Sequence, residues 1–402
     1  MQRAVIFGAG SVGRGFIGQL FCEAGWQVTF LDVDPILLQA LASQGCYPHV
    51  TVSNVASNRT VIGPVTAIDS RDDAAVEAMV AADAAATAVG ARVLPRIVPL
   101  LAQAIARRME QGRAPLNVLL CENLHGASAI VRKLIAEQLP QLSAEVLDQN
   151  LGLLDTSIGR MIPVPDPSLL ADEPTIILAE PYRQLPYDIT AVRGQPLEVP
   201  GLVGDRRVPF AFYGDRKLYI HNMGHALTAY LGERIGVTQV WEAIAIPSLR
   251  YLVRGAMVES AVALSLSYHQ PLPALLEHVD DLLHRFGNRA LGDTVERVGR
   301  DPIRKTGSGD RLLGAYMAAV CQQVPSRHLS LAVAVGADAL RRREGWSEKR
   351  IRSHLKSGLH PGVLTDAHRE LLEAQVANLI DTADLQRQID LIDACFEPSR
   401  VL

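Results

Sequence analysis

The chain has 402 residues, 48% of them hydrophobic and 20% charged, with a formal net charge of −4 at pH 7. That length exceeds one ordinary hydrophobic core and predicts two domains, while the negative balance argues against nucleic acid as a partner, because phosphate-backbone binding calls for a basic face. No apolar run approaches the ~20 residues of a membrane span, no charged segment leads into an apolar one at the start, and scattered Cys22, Cys46, Cys121, Cys321 and Cys395 fit reduced thiols better than disulfides or a paired-cysteine zinc site.

A soluble, cytoplasmic protein without a membrane partner is therefore expected. In chain order, the first apolar run is a short strand at residues 4–7, followed by a helical pattern over 12–24. A second strand is predicted at 28–31 and a second helix at 36–43. A β-rich stretch covers 50–52 and 61–68. Then come a helix from about residue 73, a strand near 84–89, a helix over 94–108 and a strand at 117–121. Strands alternating with helices of this length indicate a parallel, doubly wound α/β sheet with right-handed crossovers. Residues 163–208 are rich in Pro and Gly, carry a strand at 175–179, and read as edge strands and a connection. The boundary is placed near residue 195, giving domains over 1–195 and 196–402. From Asn222 onward apolar residues recur at helical spacing through 240–264, 275–286, 312–324, 329–340, 371–379 and 385–395. The second domain is expected to be mainly α-helical and to close over the carboxyl end of the first domain's sheet.

Residues 4–18 read AVIFGAGSVGRGFIG, with Gly8, Gly10 and Gly13 forming GxGxxG between a predicted strand and a predicted helix. Gly8 allows the tight turn, Gly10 lets backbone approach a pyrophosphate, and Gly13 permits close packing of helix on strand. Ala9, Ser11 and Val12 complete this phosphate-binding turn. Asp32 ends the second strand slightly over twenty residues on, where an acid receives the adenosine ribose hydroxyls. Its carboxylate would repel a 2′-phosphate and no Arg follows it, so the domain reads as Rossmann-type with NAD preferred over NADP. A methyltransferase-like or non-catalytic domain with glycine turns kept for packing is the alternative. Thr87 and Val89, in TAVG at residues 87–90, form a second cofactor edge or an ordinary turn after a strand.

The densest polar cluster is DRKLYIHNMGHALTAYLG at residues 215–232. Alcohol oxidation needs a base for the hydroxyl proton and donors for the alkoxide. With zinc-ligand spacing absent, a partly desolvated lysine can act as base, because burial disfavours its charged form. Lys217 is the candidate, with Asn222 five and His225 eight residues on. On one continuous α-helix Asn222 would lie about 140° round from Lys217, so a break between them is expected. Taken singly, Lys217 also reads as a solvated surface lysine and His225 as structural.

The chain resembles the polyol-specific long-chain dehydrogenase/reductase family along nearly its whole length, most closely its branch acting on mannitol 1-phosphate. The resemblance runs through FGAGSVGRGFIG at Phe7, CEN at Cys121, RKLYIHNMGHALTAYLG at Arg216 and RFGNRALGDTVERVGRDPIRKTGSGDRL at Arg285. It implies that Lys217 is a metal-independent general base, with Asn222 and His225 completing the family signature. It further implies that Asn123 joins Asn222 as an oxyanion donor, and that Arg297 and Lys305 contact substrate oxygens. Arg304 lies among the surrounding Arg285, Arg289, Arg300 and Arg311, a cationic cluster suited to a phosphorylated substrate or to a salt-bridged helix face.

Two departures stand out. Gly159-Arg160 replaces the family's Asp-Arg, removing a carboxylate contact to substrate, and Ser11 stands where Asn is usual. Some members place an acid just before the base as a proton relay, and Asp215 is nearby. The expected partner is a small-molecule polyol or sugar phosphate, with D-mannitol 1-phosphate and D-fructose 6-phosphate as the leading pair. Unphosphorylated polyols or hexonates are the second reading and a non-catalytic NAD-binding protein the third. A monomer or homodimer is expected.

Overall fold

In the computed structural model, which describes residues 1–359, the first unit, Met1–Phe210, is organised by six parallel strands. They are β1 (Arg3–Phe7), β2 (Gln27–Asp32), β5 (Val65–Asp69), β6 (Ala84–Thr87), β7 (Leu116–Leu120) and β8 (Leu151–Asp155). Their order across the sheet is β5-β2-β1-β6-β7-β8, so the strand order reverses between β1 and β6. In-register pairing puts Phe7 beside Leu31 on one side and Thr87 on the other. Strand alternation feeds two cores. Val5 and Phe7 join the core with helices Asp73–Ala81, Leu94–Glu110 and Ala127–Gln138. Ala4 and Ile6 face the opposite core with Phe16, Ile17, Leu20 and Phe21. The parallel sheet with helices on both faces is the expected doubly wound architecture.

Three elements differ from expectation. Residues 61–68 are not one strand. Gly63 and Pro64 separate β4 (Ser57–Ile62), antiparallel to β3 (Tyr47–Val52), from β5, because a proline offers no N–H to a ladder. The sixth strand, β8, went unpredicted because a five-residue strand buried through most of its length shows no alternation. Residues beyond 195 also take part in this unit, since Leu202 and Val203 pair in parallel with Leu185 and Pro186.

The second unit begins at Ala211 and its described part is helical. Helix Pro247–Tyr268 packs against helices Met223–Arg234, Leu272–Phe286, Leu313–Cys321 and Arg327–Glu344. The pattern expected over 240–264 is two helices, Val240–Ala245 and Pro247–Tyr268. Ile246 is extended (φ −79°, ψ 120°), as the residue before a proline prefers. The patterns at 371–379 and 385–395, with Cys395, lie outside the described residues. Among the described residues no helix is long and apolar enough to cross a membrane.

Candidate active site

In the first unit, the turn after β1 is built by backbone crowding. Gly8 has φ +93°, and a Cβ there would overlap the carbonyl oxygen of Ala88. A Cβ on Gly13 would overlap the carbonyl oxygen of Gly8. Both glycines are demanded by the fold itself. Gly10 differs, since a Cβ there would meet nothing within 4 Å; packing does not require glycine at this position, and the space above it is open. That open cradle adjoins a cleft lined by Gly8, Gly10, Asp32, Ser70, Ala88 and Val89. Ser11 and Val12 start the helical path that follows, so backbone N–H groups lie where a pyrophosphate would approach.

Asp32 does more than line the cleft. Its Oδ2 accepts from the Ala9 N–H at 2.7 Å and its Oδ1 from the Val33 N–H at 2.7 Å. The carboxylate thus braces the glycine turn. Thr87, the last residue of β6, is fully buried, and its hydroxyl has no hydrogen-bond partner among the described residues. Asn123 lies in the turn after β7 and is exposed. Arg160 is committed to the fold. It donates to the Glu180 carbonyl at 2.9 Å, to the Gly15 carbonyl at 2.9 Å and to Gln19 Oε1 at 2.6 Å. Gly159 leaves room, with Tyr182 the nearest group to an added Cβ, at 3.4 Å.

In the second unit, the expected break between Lys217 and Asn222 does not occur. Arg216–Asn222 is a π-helix that runs into the α-helix Met223–Arg234 with helical dihedrals at both Asp215 and Asn222. The winding changes instead of the path. With i→i+5 hydrogen bonds, residues five apart stack about as closely as residues four apart do in an α-helix, offset by roughly 50°. His225, three α-helical residues beyond Asn222, turns back by about 60°. All three side chains therefore share one face.

Burial, with the charge of Arg311 adding to it, lowers the Lys217 ammonium from 10.5 to about 8. His225 is lowered to about 3, by burial first and then by the charges of Arg297, Lys305, Arg311 and Arg285, so its imidazole is neutral near pH 7. The ring stacks on Phe286 with centroids 4.9 Å apart and planes 12° apart. Its Nε2 lies 3.1 Å from Asp293 Oδ2, near but off the line of a hydrogen bond. Asp293 also pairs with Arg297. Lys305 is buried, donates to the Val298 carbonyl and sits 5.8 Å from the Tyr230 ring centroid. Burial, then Arg311 and Arg304, push its ammonium down to about 7. Arg304 is turned to Asp301 Oδ2 at 2.6 Å and Asp310 Oδ2 at 3.2 Å. Asp215 accepts a 2.6 Å hydrogen bond from the Tyr268 hydroxyl.

Asp293 and Glu122 escaped the sequence reading, which placed Arg311 only within the cationic cluster. Asp293 was detectable as an acid four residues before Arg297, a helical ion-pair spacing. Arg311 was only one basic residue among many.

The chain matches the family model described as the mannitol dehydrogenase Rossmann domain over residues 2–200, and that of the mannitol dehydrogenase C-terminal domain over residues 210–353. Among solved structures it is similar to a substrate-free D-sorbitol dehydrogenase, with 17% identity, TM-score 0.78, and coverage of 96% of this chain and 94% of that one. It is also similar to Pseudomonas fluorescens mannitol 2-dehydrogenase, crystallised with NAD and D-mannitol, with 17% identity, TM-score 0.69, and coverage of 97% and 94%. At these identities the likeness is one of fold.

Proposed function

The chain belongs to the mannitol dehydrogenase family and is an oxidoreductase of CH–OH groups, and from that premise we propose that it interconverts D-mannitol 1-phosphate and D-fructose 6-phosphate with NAD. Gly8, Ala9, Gly10, Ser11, Val12, Gly13, Asp32, Thr87 and Val89 would hold the dinucleotide, which when bound would supply the hydride acceptor for alcohol oxidation. Lys217 Nζ takes the hydroxyl proton during oxidation and returns it during reduction. Asn222, with Asn123 as a second amide donor, stabilises charge on the substrate oxygen. Neutral His225, steadied by its stacking on Phe286, orients substrate beside the base. Arg297 and Lys305 meet substrate oxygens.

One observation carries the phosphate assignment. Arg297, Lys305, Arg311 and Arg285 all act electrostatically on the same half-buried His225. A dianionic substrate group relieves that accumulation of positive charge, and a neutral polyol does not. A different observation favours unphosphorylated polyols or hexonates. Arg297, Arg304 and Arg311 each already have an acidic partner, in Asp293, Asp301 and Asp310.

Initial rates of NADH oxidation with D-fructose 6-phosphate and with D-fructose, both in EDTA, separate the two. We expect a strong preference for the phosphate, and Lys305→Met to raise KM for it by tenfold or more while affecting D-fructose less. Preference for D-fructose would transfer the assignment to free polyols.

A further inference from the structure

Glu122 has no part in the chemistry described above, yet it is a buried carboxylate at the edge of the cofactor cleft. It directly follows Cys121, whose N–H donates to the Thr87 carbonyl at 2.9 Å, and only 5% of its surface is exposed. Its two oxygens face two consecutive backbone donors. Oε1 accepts from the Val89 N–H at 3.0 Å and Oε2 from the Gly90 N–H at 2.7 Å. The turn it holds contains Gly90 in the left-handed region, φ +86°. Two residues before Gly90, Ala88 crowds Gly8, and its N–H donates to the Phe7 carbonyl at 2.7 Å.

The cleft is therefore braced from both sides by carboxylates. Asp32 holds the Ala9 side of the glycine turn, and Glu122 holds the facing wall at Val89. Both Glu122 oxygens are engaged by backbone N–H donors of the turn. It is also covalently joined to Asn123, so whatever sets the position of the Val89–Gly90 turn sets the start of the Asn123 segment too.

We propose that Glu122 is a positioning residue for the redox reaction, fixing the Val89–Gly90 wall of the dinucleotide cleft in register with the strand end that carries Asn123. The proposal rests on the NAD reading above. A carboxylate suits this task where an amide does not. Glutamine offers one acceptor oxygen, and its NH2 group would meet the second backbone N–H donor against donor.

The experiment compares the full-length protein with Glu122→Gln and Glu122→Asp. It measures amide hydrogen exchange without cofactor, NADH affinity by fluorescence titration, and melting temperature. For Glu122→Gln we expect exchange at Val89 and Gly90 to accelerate, and the NADH dissociation constant to rise, each by about tenfold or more, as loss of a charge-assisted hydrogen bond predicts. Glu122→Asp keeps the charge but is one methylene shorter, and is expected to fall between. A folded Glu122→Gln protein with unchanged exchange and NADH affinity would overturn the proposal. So would a lower melting temperature with unchanged NADH affinity, the signature of a purely structural residue. If Glu122→Gln does not fold, exchange in the unmutated protein decides: protected Val89 and Gly90 amides support the clamp, and amides exchanging at open-chain rates refute it. Failure of the unmutated protein to bind NADH would instead strike the functional reading, leaving the exchange result to judge the clamp.

Discussion

The lowered Lys217 ammonium makes the rate a function of pH with a sign that depends on direction. The drop from 10.5 to about 8 corresponds to about 3 kcal/mol of preference for the neutral amine. At pH 7 about a tenth of the protein holds the neutral lysine that oxidation requires, and at pH 9 about nine tenths does. Polyol oxidation should therefore rise about tenfold in kcat/KM across that interval and level off above it. Ketose reduction needs the ammonium and should fall over the same range. Arg311 is the second cause of the shift, so Arg311→Met should move both inflections to higher pH in step. Lys217→Met should remove the inflection and lower kcat by several orders of magnitude while leaving NADH affinity near its original value. Initial rates in both directions from pH 6 to 10 are the assay. An inflection near 10.5, or near-normal turnover in Lys217→Met, would refute the assignment of Lys217 as the base.

Two further outcomes follow from packing. Gly10→Ala should fold with nearly unchanged melting temperature and lose NADH affinity, whereas Gly13→Ala should lose stability outright, because its Cβ would overlap the Gly8 carbonyl oxygen; equal melting temperatures for the two would contradict this distinction. Asp338, 2% exposed and paired with Arg234, Arg341 and Arg342, neutralises three cations, so Asp338→Asn should cost about 3 kcal/mol in denaturant unfolding, and a loss below about 1 kcal/mol would show the network to be dispensable.

The elements whose forces act locally were legible in the sequence. AVIF followed by GxGxxG announces a buried strand entering a glycine turn, and the structure has both, with Asp32 at the end of the neighbouring strand. Features that depend on distant or nonstandard geometry were not. Glu122 meets Val89 and Gly90 across more than thirty residues, and no periodicity encodes such a contact. The α-helical period applied to Lys217, Asn222 and His225 separates residues that the π-winding aligns. The arginine-rich segment could not reveal which cations are already matched by acids. Arg304 turns to Asp301 and Asp310, while Lys305, its neighbour, is buried beside Tyr230.

The seven π-helical residues Arg216–Asn222 put more residues into each turn than an α-helix would hold. A redesign that idealised this stretch to α-geometry, changing no side chain in the Lys217–Asn222–His225 set, would swing Lys217 away from the other two by about a quarter turn. Competence is thus written partly in the backbone's gauge, and a variant could keep every signature residue, fold well, and still be catalytically mute.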